Sequence, residues 1–146
     1  MPASVTGLQI ELIAHATEDL DRVVEALLAV IPPEARGKVK LRKKSFKGHH
    51  GNPITFLRIK VRDRELAQAI FEHIGSRLEE ADKVELSRGL RRRLKGGSLY
   101  LRLDKQWAVL GRLRLCSSDP IWIKISFSSS RPEDVLEACR EAGLVV

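Results

Sequence analysis

The tightest constraint on this chain is a period-two alternation of apolar and polar residues that recurs along it. Leu8, Ile10, Leu12 and Ala14 alternate with Gln9, Glu11, Ile13 and His15. In a second stretch Thr55, Leu57, Ile59 and Val61 share one face, and Phe56, Arg58, Lys60 and Arg62 share the other. Leu99, Leu101 and Leu103 mark a third, and Ile121–Phe127 a fourth. Successive side chains of a strand point to opposite faces, so each pattern describes a strand with one buried side. Lys38–Lys47 and Ala108–Cys116 complete six predicted strands. The turn Gly48-His49-His50-Gly51-Asn52-Pro53 predicts a hairpin between Lys38–Lys47 and Ile54–Arg62, with its cations outward.

Between the strands the spacing changes to that of helices. Leu20, Val23, Val24, Leu27, Leu28 and Ile31 follow a Thr17 N-cap and stop at Pro32-Pro33. Asp63 caps a helix with Leu66, Ile70, Ile74 and Leu78 as its stripe. A third is predicted from Asp82 to about Lys95, ended by Gly96-Gly97, and Ser130-Arg131-Pro132-Glu133 opens the last, closed by Gly143. Most neighbouring strands are joined by short loops, so the sheet should be mostly antiparallel, with helices on one face. The expected architecture is a two-layer α+β fold, one domain over residues 1–146.

Charge is sorted along the chain. Of 26 lysines and arginines, 19 fall in two windows, Arg36–Arg62 and Arg88–Arg114, which hold one acid, Asp104. Residues 1–35 carry six acids against Arg22 alone. A heat-adapted surface would account for 31% charged residues, but not for the separation of signs. Basic residues gathered on part of a domain are the footprint of nucleic-acid binding, because each neutralised phosphate releases counterions.

Within the first window Lys38, Lys40, Arg42 and Lys44 project to one side at roughly 6.6 Å intervals, twice the strand rise; an edge strand guarded by lysines is the competing reading. Lys47, Arg58 and Lys60 extend the same surface. In the second, Arg88, Arg91, Arg92, Arg93 and Lys95 cluster on the third helix, where arginine forks suit phosphate oxygens. Gly89 there admits the close approach of either a ligand or a neighbouring helix. His49, His50 and Asn52 either present donors to phosphate and base edges or form a plain turn. Arg102, Lys105 and Gln106 are expected beside that loop.

Other chemistries find less support. A metal site needs three or four ligands, and His15 and His73 add no ligand spacing to His49 and His50. No nucleophile–base pair or phosphate-cradling glycine loop is visible. Tyr100, Trp107 and Trp122 stand apart in sequence and predict no aromatic platform; Trp122 alternates with core residues and is assigned to packing. Cys116 and Cys139 make no zinc pattern and read as two buried free thiols, with a disulfide between them as the alternative. No apolar run is long enough to cross a membrane, and Met1–Gly7 lacks a secretory pattern, which favours the cytoplasm.

Three stretches together carry a family resemblance: Ile10-Glu11 with His15-Ala16-Thr17-Glu18, Lys47 to Ile54, and Leu99 to Gln106. In these the chain resembles a small archaeal RNA-binding family described as an exosome-associated subunit. The resemblance implies a fold like the ribosomal protein that binds 5S rRNA, an archaeal cytoplasmic setting, and RNA as partner. The expected function is non-enzymatic binding of structured RNA, mainly through phosphates, with no cofactor, no metal and no small-molecule substrate. One alternative is a docking subunit of RNA-processing or ribosome-assembly machinery. Another is an enzyme acting on RNA through His49 or His50.

Overall fold

Each alternating stretch becomes a strand because one set of its side chains has a core to enter. The computed structural model describes residues 2–48 and 51–146. Its elements are β1 (Val5–Ala14), α1 (Leu20–Ala29), β2 (Leu41–Lys47), β3 (Pro53–Val61), α2 (Arg64–Arg77) and α3 (Glu80–Gly89). There follow β4 (Leu94–Lys95), β5 (Ser98–Leu103), α4 (Lys105–Val109), β6 (Ile121–Phe127) and α5 (Pro132–Glu141). The strands form one six-stranded sheet in the order β2-β3-β1-β6-β5-β4. Every neighbouring pair is antiparallel, so the α+β, mostly antiparallel reading holds.

One face of the sheet is the floor of the core. Ile10, Leu12, Leu57, Ile59, Leu99, Leu103 and Ile125 are wholly buried. The helices supply the roof through Val23, Ala26 and Leu27 of α1, Ile70, Phe71 and Ile74 of α2, and Val135 and Cys139 of α5. Phe71 meets Phe127 edge to face at 5.5 Å, a favoured aromatic geometry. Gly75 lets α2 and the end of α5 touch: a Cβ there would lie 2.1 Å from the Ala142 carbonyl oxygen. No helix of the described residues is long and apolar enough to cross a membrane.

The structure departs from the sequence expectation in one predicted strand, in the third helix, at two helix starts and at the start of β2. Ala108–Cys116 is not a strand. The Asp104 carboxylate accepts from the Trp107 N–H at 3.0 Å and opens α4 instead. Beyond it Leu113 and Leu115 make only single bridges, to Leu78 and Leu103. The third helix does not run to Lys95. It ends at Gly89, and Leu90–Arg93 continue as a 3₁₀ turn into β4. Asp82, the expected opening of that helix, lies within α3 and accepts from the Leu115 N–H at 2.9 Å. The α1 cap is Asp19, not Thr17, and Ser129, not Ser130, accepts from the Arg131 N–H before α5. Pro33–Lys38 is a 3₁₀ turn, so β2 starts only at Leu41.

Candidate nucleic-acid interface

The sheet face opposite the core remains open, and its registers place the side chains in rows. One row runs Arg42, Arg58, Glu11, Trp122, Arg102 across β2, β3, β1, β6 and β5. The next runs Lys60, Gln9, Lys124, Tyr100 across β3, β1, β6 and β5. A third pairs Lys44 with Phe56 and Phe56 with Ile13. Arg42 directly opposite Arg58 is a like-charge pair, an arrangement that costs stability. The carboxylate of these rows, Glu11, accepts from Arg58 Nε at 3.0 Å and from the Gln9 amide.

The face dips into a shallow trough of about 880 Å³. Arg92, Arg93 and Lys95 line it from the β4 side, joined by Arg102 and Lys124. Gly89 is explained by the first of these. A Cβ at Gly89 would lie 2.7 Å from Arg92 Nη2, so the glycine makes room for the arginine of its own chain rather than for a neighbouring helix.

Tyr100 and Trp122 also line the trough, 41% and 36% exposed. The assignment of Trp122 to packing is therefore overturned. It alternates with Ile121 and Ile123, which enter the core, and that alternation sends its own ring to the open side. The signal was in the sequence; it needed the pleat applied one residue further. Two other aromatic rings are already covered. Arg58 stacks on Phe56 at 5.3 Å, and Arg112 and Arg114 flank Trp107 at 4.8 and 4.9 Å.

The remaining predicted residues divide. Lys38 and Lys40 are exposed ahead of β2. Lys47 falls on the opposite face of β2 from Arg42 and Lys44. Asn52 is exposed, and its carbonyl accepts from the Gly48 N–H while Gly51, at φ 78°, donates to the Gly48 carbonyl, closing the turn. His49 and His50 lie outside the described residues. Arg88 and Arg91 line a separate groove with Pro132 and Leu136 of α5. The glycine turn is at the same end of the sheet as the end of β5, but not beside it. β1 and β6 stand between β3 and β5, three strand spacings or roughly 14 Å.

Lys105 is corrected most firmly. It is 7% exposed, and its ammonium donates to the Ile13 carbonyl at 2.8 Å, Glu18 Oε1 at 3.0 Å and Asp119 Oδ2 at 2.8 Å. It locks the end of β1 to α4 and to the segment before β6, and has no donor left for a phosphate. His15 Nε2 lies 3.1 Å from Asp119 Oδ1. Burial pushes the Asp119 carboxyl up, but hydrogen bonds from Lys105 and His15 outweigh it and hold the group below the usual carboxylate range. Ligand atoms of His15, Glu18 and Asp119 lie within 4.8 Å of one another, yet Lys105 already supplies the positive charge between the two carboxylates. Gln106 is exposed on this corner beside Glu18, Asp19 and Arg22, away from the trough. Sequence reading missed the cluster because its acids, Glu18 and Asp119, lie far from Lys105 along the chain. Neither thiol is activated: burial raises Cys116, and pushes Cys139 up to about 12.

Known proteins share this fold and much of this sequence. The chain is 35% identical over 120 residues to an uncharacterised protein of Methanocaldococcus jannaschii, covering 80% of each. It is 28% identical over 140 residues to a Pyrococcus abyssi protein named as RNA-binding, covering 92% of this chain and 91% of that one. Solved structures of DUF54 proteins superpose closely. That from Methanothermobacter thermautotrophicus has a TM-score of 0.74 at 30% identity, covering 94% of this chain and 97% of the other. That from Sulfolobus solfataricus has a TM-score of 0.77 at 28% identity, covering 93% and 96%. The model of a family described as RNA binding matches residues 7–127. Since that match takes in most of the chain, the protein belongs to this RNA-binding family.

Proposed function

We propose that the open sheet face binds RNA. The observation that carries this reading is the gathering of cations from five strands and the 3₁₀ turn on one open face, facing a single carboxylate that is already tied to Arg58. Such a surface attracts a polyanion along its whole width, and arginine and lysine donors match phosphate oxygens. Family membership and the name of the Pyrococcus relative support the same partner. The trough gathers mainly cationic donors and ring faces beside the tied Glu11, a set that suits holding a phosphodiester chain, and we read the protein as a binder rather than a catalyst.

Finer readings go with it. Chain length favours a single domain, and the charge pattern favours structured RNA as ligand. The resemblance in the Lys47–Ile54 and Leu99–Gln106 stretches implies cytoplasmic work, a fold akin to the 5S-rRNA-binding ribosomal protein, and an accessory place in an exosome-like or ribosome-assembly complex. The acidic side of α1, turned away from the trough, is available for such a partner. The primary test is a titration of the full chain with an RNA hairpin at several salt concentrations. Engagement of about five phosphates gives a slope of log K against log[salt] of roughly −3 to −5. A flat dependence would remove the electrostatic basis of the reading.

A further inference from the structure

We infer that Tyr100 and Trp122 form a stacking platform for two unpaired bases, so that the RNA segment crossing this face is single-stranded. The inference rests on the open face being the RNA site and deepens that reading.

The two rings belong to neighbouring strands. Tyr100 lies opposite Lys124, and Arg102 lies opposite Trp122. The four side chains therefore make a square, with rings on one diagonal and cations on the other. Directly opposed residues stand about 5 Å apart and diagonal ones roughly 7–8 Å. A duplex cannot stack on these rings, because its base faces are hidden in the stack and the protein meets only its backbone, 2′-hydroxyls and groove edges. An unpaired segment can lay successive bases on the two rings while its phosphates pass Arg102 and Lys124. Base–ring stacking is largely indifferent to sequence, since every base has a flat face.

Both rings are free for such a ligand. The cation–π contacts among the described residues cover Phe56 and Trp107, not Tyr100 or Trp122. Two large rings left half in water on one trough, amid cations, are costly to expose unless something covers them. Glu11, the carboxylate beside Trp122, is neutralised by Arg58.

The test compares an eight-nucleotide adenosine strand with a blunt twelve-base-pair RNA duplex, both titrated against the full chain. The proteins are wild type, Tyr100→Ala with Trp122→Ala, and Tyr100→Phe with Trp122→Phe. Thermal melts confirm that each is folded. The expected result is a tenfold or greater loss of single-strand affinity in the alanine variant, recovery to within about threefold in the phenylalanine variant, and duplex affinity unchanged throughout. Wild-type protein that binds RNA while the alanine variant keeps its full single-strand affinity would overturn the platform and leave the RNA site standing. Wild-type protein that binds neither RNA would overturn both.

Discussion

Two regions built from the same basic window behave in opposite ways. On the open face Arg92, Arg93, Lys95 and Arg102 line the trough, with Lys124 beside them. At the corner where β1, α1 and α4 meet, Lys105 is sealed against Glu18, Asp119 and a backbone carbonyl. The difference lies not in the cation but in which acids the topology delivers to it. The corner receives two carboxylates, whereas the trough receives Glu11, already held by Arg58. A cation count along a chain therefore measures the supply of charge. Tertiary structure decides how much of it remains available to a ligand.

The largest effect that tests this contrast is on stability. Lys105→Met takes the ammonium from Glu18, Asp119 and the Ile13 carbonyl, and leaves the two carboxylates with His15 as donor. Loss of one partner of a buried ion pair costs about 3–5 kcal/mol, and the partial exposure of both acids reduces that to about 2 kcal/mol. A melt should show the midpoint falling by roughly 4–8 °C, with RNA affinity of the folded protein unchanged. A variant that melts like wild type, or that loses RNA first, would erase the distinction between the two regions.

The converse change is Arg92→Ala, Arg93→Ala and Lys95→Ala together. It should weaken RNA binding about tenfold, or roughly 1.4 kcal/mol, while shifting the melting midpoint by no more than a degree or two. It should also flatten the salt dependence by about one to three units of slope, since each phosphate left without its cation keeps its counterions.

A smaller effect sharpens the corner. The Asp119 carboxyl is held below its usual range, so the folded state binds fewer protons than the unfolded chain near the ordinary carboxylate pKa. Its contribution is complete above that pKa and is lost as pH falls through the depressed value. Asp119→Asn should therefore lower stability at neutral pH by less than about 1 kcal/mol, since the group is part-exposed, and make acid unfolding less steep. Asparagine tolerates the φ of 46° found here, so a loss from backbone strain should not obscure the result. Acid unfolding curves of the two proteins that run parallel would sink the assignment.

The smallest effect is a control. Asp21→Asn with Glu25→Gln neutralises exposed acids of α1 that neither cap the helix nor touch Lys105. RNA affinity should change by less than about twofold. Asp19 and Glu18 are unsuitable for this purpose, because one caps α1 and the other holds Lys105.

The pleat was the most legible feature of the sequence. Ile54–Arg62 alternates so regularly that its core face, its open face and its hairpin partner all follow from it. Asp63 was legible as a cap because its side chain acts on Leu66, only three residues away. Ala108–Cys116 misled because α4 has five residues, too short to display a helical period, and the spaced Leu113 and Leu115 imitate a strand. The platform was hidden for another reason. Tyr100 and Trp122 are distant in sequence and become neighbours only once β5 pairs with β6. Lys105 was misread because a cation among cations carries no mark of a distant acid.

The most direct test of RNA binding on the open face is a map of amide chemical shifts as an RNA hairpin with an unpaired loop is added to the full chain. The changes should concentrate on residues 92–102 and 122–124 and on Arg58 and Lys60, with residues 18–26 and 105–110 silent. A map confined to the α1–α4 corner, with the trough unmoved, would contradict it.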